Sequence, residues 1–87
     1  MKLKVLGTEA ACGVGTGNGS DFANSTAVRL FNSGTTARLI SIETSTASLI
    51  GTFTLAGGST EIVYKEQTHE IFSAHAEVLG VGVAITG

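Results

Sequence analysis

Alternation of apolar and small or polar residues is the dominant pattern in this chain, and it is clearest at the C-terminus. There Leu79, Val81, Val83 and Ile85 fall on one face of an extended segment, while Gly80, Gly82, Ala84 and Thr86 fall on the other. The small residues let another backbone or a second sheet approach closely, which places this strand centrally in the fold or against a partner. Upstream, Leu49, Gly51, Phe53 and Leu55 alternate with Ile50, Thr52 and Thr54. The turn Ala56-Gly57-Gly58-Ser59 follows, and then residues 60–66, with Ile62 and Tyr64 facing one way. This spacing predicts a β-hairpin. A second hairpin is predicted where Val28 and Leu30 alternate with Ala27, Arg29 and Phe31, ahead of Asn32-Ser33-Gly34-Thr35 and a strand over 36–43 carrying Ile40 and Ile42. Residues 2–6 supply another short strand and 68–72 one more, although Ile71, Ala74, His75 and Val78 also have helical spacing and leave a helical turn open within 71–78. The expectation is an all-β chain: one small β-sandwich, immunoglobulin-like or jelly-roll in type, with six or seven strands and a single domain over residues 1–87.

Residues 7–25 break the rhythm. This stretch holds five of the twelve glycines, at Gly7, Gly13, Gly15, Gly17 and Gly19, with Phe22 as its one large apolar anchor. Uninterrupted loops beyond about 12–15 residues are uncommon in compact domains unless functional or disordered. The segment reads as a long glycine-rich N-terminal loop or arm.

Composition sharpens the picture. Gly, Ser and Thr dominate, charged residues make up 14%, apolar residues 43%, and the net charge is -2. That balance is too apolar and too weakly charged for a disordered chain. A chain of 87 residues has a small core, and for so short a chain the gain from apolar burial and the cost of chain ordering nearly offset each other. A single cysteine, Cys12, cannot form an intrachain bridge, and no Cys/His cluster has the spacing of a structural metal site. Packing against neighbouring subunits is the remaining route to stability, so a homo-oligomer is expected.

Only Lys2, Lys4, Arg29, Arg38 and Lys65 are basic, too few and too scattered to neutralise a phosphate backbone, so no nucleic-acid partner is expected. Gly7 and Glu9 interrupt the apolar stretch after Leu6, which leaves no secretory core, and no run approaches the roughly 18 apolar residues of a membrane span. The expectation is a protein made in a cytosol with no membrane partner.

Each chemically suggestive motif has a plainer reading. Gly13-Val14-Gly15-Thr16-Gly17-Asn18-Gly19 evokes a phosphate cradle. A dinucleotide fingerprint counted from Gly13 would need glycine at Asn18, however, and a Walker loop would need Gly-Lys-Ser/Thr. His69-Glu70 lacks the second histidine one helical turn on, since Ser73 stands there, and His75 shares a face with His69 only on a strand. Cys12 has no local base to form a thiolate. Glu61, Glu66, Glu70 and Glu77 read as a solvated face that protects strand edges. Thr44, Thr46, Thr52 and Thr54 make no persistent ladder and are explained by β-propensity. No catalytic, cofactor-binding or metal-binding residue is therefore assigned, no cofactor is expected, and an enzyme is disfavoured.

One stretch carries a resemblance. Leu55 to Gly58, Ile62 to Lys65, Ile71 to Ala74 and Gly80 to Ile85 resemble a run of turns and strands in small virion proteins of tailed phages, particularly marine ones. The similarity covers residues 51–87 and departs at Gln67, where a proline is expected. It implies a structural role with no catalytic residue carried over. The expected protein is a capsid decoration or cement protein seated on the major capsid protein or other virion proteins, with a tail, neck or fibre-attachment protein as the nearest alternative. A carbohydrate-binding or adhesion module is the alternative from another class, but the absence of Trp and the presence of only Tyr64 disfavour it.

Overall fold

The structure, a computed structural model, describes residues 2–86. Strand accounts for 54% of the described residues, and none of them is helical. Nine strands are present among the described residues: β1 (Lys2–Val5), β2 (Ala10–Ala11), β3 (Gly13–Val14), β4 (Ala27–Asn32), β5 (Arg38–Glu43), β6 (Leu49–Leu55), β7 (Thr60–Tyr64), β8 (Glu70–Ser73) and β9 (Val78–Thr86). They form two sheets. Sheet 1 has the order β1-β9-β4-β7, with β2 also paired to β9, and sheet 2 has the order β3-β8-β5-β6. All pairings are antiparallel except β3 with β8.

The pairs are nested along the chain: β5 with β6, β4 with β7, β3 with β8, and β1 and β2 with β9. Successive pairs alternate between the two sheets, and β3 runs parallel to β8 where a ribbon folded back on itself would run antiparallel. Further pairing of β4 with β9 and of β5 with β8 joins these pairs into the two sheets. The core lies between the layers, where Val28, Leu30 and Val78 of sheet 1 meet Ile40, Leu55 and Ile71 of sheet 2. The shortest dimension, 20 Å, is that of two layers about 10 Å apart plus their outer side chains.

Both predicted hairpins are corrected by this topology. The strands at 27–32 and 38–43 lie in different sheets, as do those at 49–55 and 60–64, and the local hairpin is instead β5–β6, turning through residues 44–48. The reason sits at Asn32, which is completely buried. Its Nδ2 donates to the carbonyls of Thr36 (2.8 Å) and Leu55 (3.0 Å), and its Oδ1 accepts from the Gly34 amide (3.0 Å). Its own main chain bonds the other crossover, through Asn32 N–H to the Ser59 carbonyl and Gly58 N–H to the Asn32 carbonyl. One residue, through its side chain and its main chain together, thus joins the two glycine-containing connections that cross from sheet to sheet.

Residues 7–25 are not a free arm. Ala10 and Ala11 pair with Gly80 and Leu79 on the edge of β9, and Gly13 and Val14 run beside Phe72 and Ser73 of β8, so the chain steps from one sheet to the other at buried Cys12. These two short strands raise the number above the expected six or seven. Farther on, Ser20 exchanges two main-chain hydrogen bonds with Ile71, and Phe22 packs against the core cluster. The small face of β9 makes this possible: a Cβ on Gly80 would lie 2.7 Å from the Phe22 ring, and one on Gly82 would lie 2.0 Å from Ser25 Oγ. The helical turn left open within 71–78 does not form; Glu70–Ser73 is strand, and the chain then turns into β9.

Candidate functional site

The glycine-rich segment does bring a backbone amide to an anion, but the anion belongs to the same chain. Gly15 and Gly17 adopt φ of +88° and +83°, closing a tight turn in which Asn18 N–H meets the Gly15 carbonyl. The Gly17 amide then donates to both carboxylate oxygens of Glu43, at 3.1 and 3.2 Å. Glu43 is 1% exposed. It sits on the outer side of β5, directly across from Glu70 of β8. Sequence reasoning passed over Glu43 because nothing in its local context distinguishes it from a solvated strand end.

Beside it runs an open groove of about 300 Å³ on the outer face of sheet 2. Leu39, Ala47, Leu49 and Phe72 supply its apolar walls, and Ser41 and Thr52 lie among them. A smaller pit of about 230 Å³ lies where the chain between β1 and β2 leaves the edge of β9, with Leu6, Ala10, Phe22 and Val81 around it. Both fall at or below the lower end of the range typical of small-molecule sites.

The other polar candidates are separated from one another. Glu77 pairs with Arg38 across the end of the two sheets, both partly buried, and the Glu77 amide donates to His75 Nδ1 (3.1 Å). His69 contributes its main-chain N–H to the Glu66 carbonyl in the preceding turn. Glu61 and Glu66 are exposed. Lys65 is buried and donates to the carbonyls of Glu66 and Gln67 (3.2 and 3.3 Å), clamping its own turn. Burial holds its ammonium below the ordinary lysine range, opposed by the charges of Asp21 and Glu70. Burial pushes the Cys12 thiol up to about 11, which leaves it a packed, unreactive side chain. Among the described residues no three His, Cys, Asp or Glu side chains converge as a metal site would require.

The distinctive surface is the outer face of sheet 1. The strand registers place Leu3 beside Ile85, Val5 beside Val83, and Arg29 between Val81 and Ile62. The bulky face of β9 therefore points away from the core between the sheets. Ala27, Val81 and Val83 form a second buried cluster there, with Ile62 and Ile85 packed against it. Glu9, just ahead of the Ala10–Gly80 pair, reaches Arg29 at 3.4 Å, so this ion pair arches over Val81. Around the cluster the surface stays apolar and open: Leu3 is 40% exposed, Val5 58% and Tyr64 71%. An outward sheet face facing water is ordinarily polar.

No family model matches this chain, no curated protein matches it, and no solved structure matches it.

Proposed function

We propose that the protein is a structural subunit of a tailed-phage virion, a decoration or cement protein of the head, which seats the outer face of sheet 1 on a larger protein lattice. The observation that carries this reading is the apolar face around Leu3, Val5 and Tyr64, set on a buried base of Ala27, Val81 and Val83. Exposed apolar surface of this continuity marks a contact with another macromolecule. A domain this small gains much of its security from such a contact, because an interface adds burial that the domain's own core cannot supply.

The nested pairing described above supports the same reading. Counting β1 and β2 as two halves of one strand, the described residues form eight strands paired first with last, second with seventh, third with sixth and fourth with fifth, all antiparallel but the second with the seventh. We read this as a jelly roll, the β-sandwich type used by viral capsid domains among others. Fold alone does not carry function, so weight rests on the exposed face. The interior between the sheets is filled by Leu30, Ile40 and Ile71, and that leaves the surface to do the protein's work.

Mass spectrometry of purified intact particles tests the proposal. A head protein is expected in a copy number set by icosahedral symmetry, a tail or neck protein in a small multiple of six or three, and the double variant Val5→Glu/Tyr64→Glu is expected to fold and to be missing from the particle. Absence of the native protein from the particle refutes the reading, and so does undiminished incorporation of the variant.

A further inference from the structure

The β6 edge of sheet 2 presents a second surface, independent of the apolar face. β6 pairs with β5 on one side and has no strand on the other among the described residues. The direction of its main-chain groups follows from its neighbour. The Leu39 carbonyl accepts the Ala74 amide, so Leu39, and by alternation Ser41, direct their main-chain groups toward β8. Arg38, Ile40 and Ile42 then bond to β6, opposite Leu55, Phe53 and Gly51. Between those residues Thr52 and Thr54 direct their N–H and C=O groups out of the sheet, and both residues are exposed. A register shift at Ile42/Glu43 ends the regular ladder before Ile50.

Natural edge strands are usually blunted by charge, proline or brevity. The other edges here follow that rule: β1 carries Lys2 and Lys4, β7 carries Glu61, and β3 has two residues. β6 has seven residues, no proline and no charge, and the uncharged stretch extends from Thr44 to Thr60. An edge with nothing to repel its own image, offering alternating donors and acceptors, is complementary to a second copy of itself run antiparallel.

We propose that two copies of the chain join through β6, antiparallel about a two-fold axis at Phe53. Thr52 of each copy exchanges both main-chain hydrogen bonds with Thr54 of the partner subunit, four bonds in all. The two four-stranded sheets become one continuous sheet, and the threonines lie in opposed pairs on its outer face, a favourable cross-strand combination. An isologous contact of this kind closes on itself and leaves the face of sheet 1 free in both copies. The pairing does not depend on that face meeting a capsid.

Amide hydrogen exchange combined with light scattering tests it. In the native protein a dimer is expected, with the Thr52 and Thr54 amides exchanging at least tenfold more slowly at concentrations that favour it than on dilution. The double variant Thr52→Lys/Thr54→Lys sets lysine against lysine and is expected to be a folded monomer, whereas Thr52→Lys/Thr54→Glu sets lysine against glutamate and is expected to dimerise again. Should the double-lysine chain fail to fold, Thr52→Pro removes one outward N–H without touching the ladder to β5 and is expected to weaken the dimer at least tenfold. A native protein that stays monomeric overturns the pairing and leaves the particle experiment to judge the sheet 1 face. An oligomer whose Thr52 and Thr54 amides exchange freely, or a dimer that survives double-lysine substitution, also overturns it.

Discussion

Asn32→Ala is the substitution that most directly probes how the two sheets are joined. The side chain makes three hydrogen bonds, to Thr36, Leu55 and Gly34, at 2.8 to 3.0 Å and in complete burial. At about 1 kcal/mol net for each, their loss costs about 3 kcal/mol. The Leu55 carbonyl bears the heaviest share, because its bond to Asn32 is buried, whereas the Gly34 and Thr36 groups lie in partly or fully exposed residues and can be rehydrated. A domain of this length has a total stability of roughly 4–13 kcal/mol, so the substitution removes a large fraction of it. Urea unfolding followed by far-ultraviolet circular dichroism measures the change. With a slope of about 1 kcal/mol/M the midpoint moves down by about 3 M, and the slope itself stays constant if the native state is otherwise intact. Asn18→Ala is the control: Asn18 makes one exposed side-chain hydrogen bond, to the Val14 carbonyl, and its loss costs about 0.5 kcal/mol. If Asn32→Ala costs no more than Asn18→Ala, Asn32 does not tie the crossovers together and the reasoning fails.

Gly82→Ala forces a Cβ to within 2.0 Å of Ser25 Oγ and is expected to cost about 2 kcal/mol. Gly51→Ala meets nothing within 4 Å and is expected to be neutral or slightly stabilising; thermal melts of the pair read the contrast, and equal melting points would contradict it. Glu43→Ala strips the Gly17 amide of its acceptor and is expected to cost about 2 kcal/mol, the value of a charge-assisted bond, with faster exchange of the Gly17 amide as the residue-specific signature. Cys12 keeps its proton up to about pH 11 in the folded state, against an ordinary value of 9.0. The folded state therefore binds the proton more tightly than the unfolded chain. The resulting stability is fully present below pH 9 and is lost as the pH climbs toward 11, about 2–3 kcal/mol across that window. Comparing urea midpoints of the native chain and Cys12→Ala from pH 8 to 11 isolates this contribution, and a difference that does not shrink with rising pH refutes it.

Strand identity was legible because alternation is a local property. Ala27–Asn32, Arg38–Glu43, Leu49–Leu55, Thr60–Tyr64 and Val78–Thr86 each show the period of two that an extended backbone imposes on its side chains. The pattern is the same whichever strand lies alongside, and so the two expected hairpins were misassigned. The turns at 33–37 and 56–59 carry glycine as hairpin turns do, yet both cross between sheets around Asn32. The surfaces were equally hidden. Glu43 looked like a strand end, and only the return of residues 15–18 over β5 makes it a buried acceptor.

By itself, the sequence determined that this chain is all-β, that its single cysteine forms no intrachain disulfide, and that the last strand has one bulky face and one small face. Tertiary structure alone decided which of those faces meets the core. Gly80 and Gly82 accept Phe22 and Ser25 on the inner side, so Val81 and Val83 are turned outward to build the apolar face with Leu3 and Val5. The physical reason is range: the pleat and the turn preferences act between neighbours in the chain, whereas the choice of partner strand and of buried face depends on contacts between residues far apart in it, such as Val5 with Val83, seventy-eight positions on, and Gly80 with Phe22.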